Sequence, residues 1–310
     1  MEIGEGSGGA GAGRYAPSPS GDLHLGNLRT AMLAWLCARS SNRAFLMRIE
    51  DLDRARDAGA ASRQLADLAA LGLDWDGEPV IQSERADAHK AAIDLLSDAG
   101  LVYECTCTRR EILEAPSAPH APPGAYPGTC RDRSEDERDA ARAEIAPRLP
   151  ALRLRAPDGA REASFVDRFL GTVTSIVDDL VLRRGDGAIA YNLAVVVDDA
   201  AMGVDQVVRG DDIASSTPRQ ILLQRLLGLQ TPEYLHVPLV LGPTGARLAK
   251  RDGAVTLRDL AESGIDADRV RTMLAASLGL AGEGEPVTMA GLLARFDLAR
   301  LPREPWVYRG

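Results

Sequence analysis

Lysine is nearly missing from these 310 residues. Lys90 and Lys250 are the only two, against 36 basic residues in all. The bias toward arginine is most simply compositional, and it makes each lysine worth inspecting. An excess of positive charge is missing as well. The formal net charge is −9, which excludes a bulk nucleic-acid binder and requires any RNA contact to come from a local basic face. No apolar run approaches the roughly 20 residues that a membrane span needs. Residues 1–13 are glycine-rich, with neither a basic n-region nor an apolar h-region, so they read as a flexible leader and not a signal peptide. A cytoplasmic protein is the expectation. Cysteine is scarce at four residues. Cys37 lies in an apolar helical stretch and reads as a buried thiol. The other three cluster at positions 105, 107 and 130, and without a secretory signal such a cluster suggests metal and not disulfides. What remains, 45% hydrophobic and 26% charged, is the composition of a globular chain with room for one large domain or two.

The chain is organised around residues 14–27, a polar loop bearing prolines and glycines that leads into a helix expected over 28–39. Prolines restrict the loop, and Gly21 and Gly26 permit tight bends and close approach of a ligand to backbone. The helix start offers free N–H groups and a positive dipole end, which suit a phosphate. His24 stands beside it and can donate to a phosphate oxygen. Residues 43–49 read as a buried strand ending in Glu50, Asp51 and Asp53. Ligands gather at the carboxyl ends of parallel strands, where a carboxylate can hold an ammonium group. For Asp51 and Asp53 the bland reading, a helix cap, is preferred. Helical periodicity covers 62–71 and 84–99, with a turn-rich segment at 73–79.

Cys105-x-Cys107 and Cys130 can supply three thiolates to a tetrahedral zinc. The chemistry alone leaves the fourth ligand open between His120 and Tyr126; the alternative is three reduced thiols holding no metal. Strands are expected at 152–155, where alternating Leu and Arg suggest a half-exposed strand, and at 163–166. Residues 190–199 read as a buried strand and 204–212 as another ending in charge. A helix should then run from Thr217, as N-cap, with Pro218 at its first position. Arg209, at a strand end, can pair with a carboxylate bidentately; its bland alternative is a surface ion pair with Asp211 or Asp212. Three short helices, 257–263, 267–278 and 289–296, close the chain.

The run Arg14-Tyr15-Ala16-Pro17-Ser18-Pro19-Ser20-Gly21-Asp22-Leu23-His24-Leu25-Gly26-Asn27 resembles the first signature of class I aminoacyl-tRNA synthetases in its glutamyl form, over more than ten positions without a gap. Arg247-Leu248-Ala249-Lys250-Arg251 resembles the second, lysine-bearing signature, with Arg247 in place of lysine and Ala249 in place of serine. The resemblance implies an α/β fold: a doubly wound, Rossmann-type parallel sheet interrupted by an inserted zinc-bearing module and followed by a short helical C-terminal region. Its expected divisions are 14–103 and 172–245 for the two halves of the catalytic domain, 104–171 for the insert, and 246–310 for the lysine loop and helices. It implies that His24, Gly26, Asn27 and Lys250 hold ATP, with His24 and Lys250 catalytic. Arg14, Tyr15, Ala16, Pro17, Ser18, Glu50, Tyr191 and Arg209 would hold L-glutamate. Mg2+ is expected on the triphosphate.

The pattern Cys-x-Cys…Tyr-x-x-x-Cys is similar to the zinc site of the glutamyl-queuosine tRNA(Asp) branch, which implies Cys105, Cys107, Tyr126 and Cys130 around one structural Zn2+, and queuosine-containing tRNA(Asp) as the RNA partner. Only about sixty residues follow Lys250, too few for the anticodon-binding domain of full glutamyl-tRNA synthetases, which points to the same branch. A monomer is expected. The competing expectations are a short glutamyl-tRNA synthetase charging the 3′ end of tRNA(Glu), and a non-catalytic glutamate- or RNA-binding relative; intact His24, Glu50, Arg209 and Lys250 argue against the latter.

Overall fold

A computed structural model describes residues 11–53, 59–114, 125–160, 162–246, 248 and 255–310. His120, Arg247, Ala249, Lys250 and residues 1–10 of the expected leader lie outside the described residues. The first half of the fold runs β1 (Ala12–Tyr15), α1 (Leu25–Ser40), β2 (Ala44–Ile49), α2 (Ala61–Ala70), β3 (Val80–Ile81) and α3 (Ala86–Asp98). A second group follows: β4 (Val102–Cys105), α4 (Arg109–Glu114), α5 (Glu135–Glu144), β5 (Ala151–Leu154), β6 (Glu162–Asp167), β7 (Gly171–Ile176) and β8 (Val181–Arg183). The chain then returns through α6 (Tyr191–Ala201), β9 (Val204–Gly210), α7 (Thr217–Leu226), β10 (Glu233–Val237) and β11 (Val240–Leu241). It finishes with α8 (Leu257–Glu262), α9 (Ala267–Ser277), α10 (Met289–Arg295) and β12 (Trp306–Val307).

The central sheet has the order β10-β9-β1-β2-β3, with every pair parallel. The chain builds outward from β1 through β2 and β3, then crosses to the other side of β1 for β9 and β10. The switch point between β1 and β9 is where an open α/β sheet leaves a crevice for ligands. The second group interrupts this sheet with an antiparallel sheet β4-β5-β8 and a hairpin β6-β7. Its third strand is Val181–Arg183, so the antiparallel sheet reaches past residue 171.

The core forms around α1. Leu25, Leu28, Ala31, Met32, Leu33, Leu36 and Ala38 are all at most 1% exposed, as expected of a helix apolar on every side. α8, α9 and α10 lie over it through Leu260, Val270, Leu274, Ala275 and Leu292. Burying each leucine contributes about 1.5–3 kcal/mol, which fixes the start of α1, and with it His24, against the sheet. Arg29 adds a polar tie: its guanidinium donates to Pro238 O (2.9 Å) and Ser277 Oγ (3.1 Å).

Several local expectations are overturned. α1 starts at Leu25 and not at residue 28, because the His24 side chain caps it. Residues 190–199 are mostly helix, α6, and not a strand. Leu193, Ala194, Val195, Val196, Asp198 and Asp199 are buried around its circumference, and a continuous apolar run does not distinguish strand from buried helix. Thr217 is not the cap of α7; a 3-10 turn, Asp211–Ser216, runs into the helix and Thr217 is already in it. Arg153 is buried in β5, so that strand is not half-exposed. Asp51 ties two segments and does not sit at a cap position: its carboxylate accepts from Ser83 N (2.7 Å) and Ser83 Oγ (2.6 Å), within the 3-10 turn that precedes α3.

Candidate active site and cysteine centre

The loop between β1 and α1 is held from both sides. Gln64 of α2 donates its amide N–H groups to Ser18 O (3.0 Å) and Gly21 O (2.6 Å). Glu50 N–H donates to Pro17 O (2.9 Å), drawing the 14–18 segment against the end of β2. At the loop's end His24 Nδ1 accepts from Gly26 N (3.1 Å) and Asn27 N (3.4 Å), while Asn27 Oδ1 accepts from His24 N (3.3 Å). This reciprocal cap places the imidazole proton on Nε2 in the neutral ring, so Nε2 is the donor. A side chain at residue 26 would meet the His24 ring at 3.0 Å, which explains the glycine there. Tyr15, His24, Gly26, Asn27 and Thr30, together with Gly210, Asp212, Leu239 and Val240, line a cleft of about 210 Å3. The segment leaving the lysine loop returns here: Leu25 N donates to Val255 O (3.0 Å) and His24 bridges Thr256.

A buried charge cluster ties β1 and β2 to α6. Asp199 of α6 accepts from Arg14 Nε (3.2 Å) and Arg48 Nη1 (2.6 Å), and Arg48 Nη2 donates to Glu50 (2.9 Å). Arg48 is fully buried and the Asp199 side chain is 9% exposed. Burial works against the Asp199 carboxylate, but Arg14 and Arg48 outweigh it and hold its pKa below the ordinary value. Arg209 is buried as well, and is not the surface ion pair considered from sequence. Its Nε donates to His236 Nε2 (2.9 Å) and its Nη2 to Thr217 Oγ1 (2.7 Å). Tyr191 opens α6, 42% exposed, where the charges of Arg209, Glu50, Arg14 and Asp199 act on it together.

Thus Arg14, Tyr15, Pro17, His24, Gly26, Asn27, Glu50, Tyr191 and Arg209 converge on the carboxyl ends of β1, β2 and β9. Ala16 is half-buried and Ser18 exposed in the same loop. Sequence reasoning missed Arg48, Asp199, Gln64, Thr217, Asp167 and His236. The available signal was a charged or polar residue inside an otherwise apolar stretch, as with Arg48 in a buried strand or Asp198 and Asp199 ending a valine run.

The cysteine centre lies in the second group. The sulfurs of Cys105, Cys107 and Cys130 all lie within 4.8 Å of one another, with Cys107 Sγ to Cys130 Sγ at 3.5 Å. Tyr126 Oη is 3.3 Å from Cys105 Sγ and 3.9 Å from Cys107 Sγ. A tetrahedron with metal–sulfur bonds near 2.3 Å has sulfur–sulfur edges of about 3.8 Å, so three thiolates and a phenol oxygen fit zinc here. The protons are shared unequally: the neighbouring Cys105 and Tyr126 groups hold the Cys130 thiol below its ordinary range, while burial pushes Tyr126 up. The Arg153 guanidinium stacks 3.7 Å from the Tyr126 ring centroid, where a cation favours electron density on the phenol. Asp178 joins this centre to the catalytic half, accepting from Tyr126 N (3.0 Å) and Arg219 Nε (2.6 Å).

Residues 12–309 match the family model of class I tRNA synthetases (E and Q), catalytic domain. The chain is 62% identical over 297 residues to a glutamyl-Q tRNA(Asp) synthetase of Nocardia farcinica, covering 96% of this chain and 93% of that one. Against the protein of that name in Symbiobacterium thermophilum identity is 48% over 308 residues, covering 94% of each. Among solved structures, the glutamate tRNA ligase of Elizabethkingia meningosepticum, in complex with its amino acid, superposes with a TM-score of 0.80 at 26% identity. That match covers 96% of this chain and 66% of the ligase. With the switch-point cleft, the His24 cap and these matches together, the chain belongs to the class I tRNA synthetase family of glutamate and glutamine enzymes, in the glutamyl-Q tRNA(Asp) synthetase branch.

Proposed function

We propose that this enzyme activates L-glutamate with ATP and transfers the glutamyl group to queuosine at the wobble position of tRNA(Asp). In the first step an oxygen of the glutamate α-carboxylate attacks the α-phosphorus of ATP. The bond to the bridging oxygen breaks, pyrophosphate leaves, and glutamyl-adenylate remains. In the second, a hydroxyl of the queuosine cyclopentene ring attacks the glutamyl carbonyl and AMP departs. Neither step needs a covalent enzyme intermediate; the protein contributes positioning and charge stabilisation.

The observation that carries this reading is a juxtaposition at the strand switch point. A helix start capped by His24 borders the cleft, and three buried guanidinium groups, Arg14, Arg48 and Arg209, stand near the carboxyl ends of β1, β2 and β9, the first two paired with the carboxylates of Asp199 and Glu50. A dicarboxylic amino acid supplies the anionic charge such a cluster lacks. In this reading Arg209 and Tyr191 border the side-chain carboxylate, Glu50 faces the ammonium group, and His24 Nε2–H donates to a phosphate oxygen. Lys250 would neutralise the departing pyrophosphate, with Mg2+ carried on the triphosphate. Cys105, Cys107, Tyr126 and Cys130 would hold one zinc ion, which when bound braces the second group and leaves no open position for chemistry. The enzyme is read as a cytoplasmic monomer.

The test is direct. The protein is incubated with labelled glutamate, ATP and either queuosine-containing tRNA(Asp) or tRNA(Glu). Label is expected on the modified base of tRNA(Asp). Label on the 3′ adenosine of tRNA(Glu), with none on tRNA(Asp), would establish a short glutamyl-tRNA synthetase instead.

A further inference from the structure

The buried arginines of the site are not compensated alike. Arg14 and Arg48 share the carboxylate of Asp199, and Arg48 also holds Glu50. Arg209 has neutral partners, His236 and Thr217. Register makes the first contact unavoidable, since Arg209 on β9 and His236 on β10 stand directly opposite in the parallel ladder. His236 is fully buried, stacked on Tyr234 at 6.0 Å between ring centroids, with Phe165 at its edge. Its other nitrogen, Nδ1, is 2.6 Å from Asp167 at the end of β6. Asp167 is itself fixed, accepting from the backbone N–H of Phe169, Leu170 and His236. An ionised carboxylate only accepts, so Nδ1 carries the proton and Nε2 is an acceptor. Burial keeps the ring neutral, lowering its pKa against the pull of Asp167.

Two consequences follow for Arg209. Its Nε and one Nη2 hydrogen are spent on His236 and Thr217. The edge carrying Nη1 takes no acceptor among the described residues, and an Nη1–Nη2 edge is a fork that a carboxylate fills bidentately. Arg29, also buried among neutral partners, spends all three nitrogens on Ser277 and Pro238 and presents no such edge. Further, the carboxylate of Asp167 is kept behind an imidazole. Asp167 fixes the histidine without neutralising the guanidinium, so the charge of Arg209 stays available.

We propose that His236, fixed by Asp167, is a positioning residue that aims Arg209 and preserves its unpaired charge, and thereby sets the preference for glutamate over glutamine. This rests on the reading of Arg209 as the partner of the glutamate side chain. A side-chain carboxylate completes the ion pair; an isosteric amide leaves a buried guanidinium without a counter-charge, and hydrogen bonds to charged groups differ from unmade ones by about 1.5–3 kcal/mol, or about 10- to 150-fold.

The experiment is amino-acid-dependent ATP–pyrophosphate exchange, with glutamate and glutamine titrated separately. His236→Leu removes the acceptor and should raise the glutamate KM at least about tenfold, with kcat at saturation kept within about threefold. His236→Gln restores a neutral acceptor and should recover most of that loss. In the double variant D167N/H236E the carboxylate moves onto Arg209 itself, and the glutamate-over-glutamine ratio of kcat/KM should fall at least about tenfold. The proposal is overturned if His236→Leu and His236→Gln behave alike, or if the folded double variant keeps the parent's ratio. Should the double variant fail to fold, the Leu/Gln pair decides alone. Arg209→Ala separates the two levels of argument. If it activates glutamate normally, the assignment of Arg209 is wrong; if it loses at least tenfold while the His236 variants do nothing, only the role of His236 falls.

Discussion

Asp199→Asn is the perturbation with the widest reach. The side chain keeps its shape and loses its charge, so two buried guanidinium groups lose the anion they share. Arg14 is 5% exposed at its side chain and Arg48 not at all. In that setting, removing one partner of an ion pair costs about 3–5 kcal/mol; an exposed pair would cost under about 1 kcal/mol. A domain of 150–250 residues loses about 2–4 °C per kcal/mol. At 2–3 °C per kcal/mol, allowing for this longer chain, the melting temperature should fall by roughly 6–15 °C. The sign of the pH dependence is fixed too. The Asp199 carboxyl is held below its ordinary 3.8 in the folded protein, so its contribution is complete above that value and is lost as pH falls through the folded pKa. The gap between parent and variant should therefore be constant near neutrality and close in acid. Glutamate binding should weaken as well, because Arg48 is left with Glu50 as its only carboxylate partner and draws that carboxylate away from a substrate ammonium group. Scanning calorimetry at several pH values, beside glutamate titrations of ATP–pyrophosphate exchange, reads both effects. A melting temperature within about 1 °C of the parent at neutral pH would refute the buried-cluster argument.

Lys250→Ala should slow adenylate formation about 100-fold or more, the scale of losing one preorganised charge donor. The glutamate KM should stay nearly unchanged, since the lysine is assigned to the triphosphate and not the amino acid; equal exchange rates for variant and parent would remove it from the mechanism. Elemental analysis of purified protein should find about one zinc per chain, with Cys105, Cys107 and Cys130 protected from thiol reagents until a chelator is added. Absence of zinc with three freely titrating thiols would establish a degenerate centre.

The legible part of the site was that carried by local sequence. The loop from Arg14 to Asn27, the end of β2 at Glu50 and the strand end at Arg209 are short contiguous signals, and each lies at the carboxyl end of a strand of the central sheet. The cysteine centre was legible for the same reason, with Tyr126 Oη now seated beside the sulfurs. Residues 190–199 were misread because their apolar run has no gap from which a period could be recovered. Burial on all sides of α6 overrode the strand preference of Val195, Val196 and Val197. Thr217 was misread because capping chemistry was matched without knowing that a 3-10 turn already occupied the preceding residues.

The illegible part has one physical character: partners far apart in sequence that only the folded chain brings together. Arg14 and Asp199 are separated by 185 residues, Arg48 and Asp199 by 151, and Asp167 and His236 by 69. Nothing local distinguishes a histidine that aims an arginine from one that fills a core. The register of β9 against β10 decides it, and register follows from which apolar side chains face the core. Arg209 shows why this matters for chemistry. Its identity and strand-end position suggested a carboxylate ligand, but whether it had charge to give depended on its neighbours. A carboxylate in place of His236 would have made it a structural ion pair, like Arg48. On the proposal made above, the neutral imidazole, set in place by a residue of the interrupting hairpin, keeps it a binding group. The specificity of the site, on that same proposal, rests on a contact between the second half of the central sheet and the segment inserted before it.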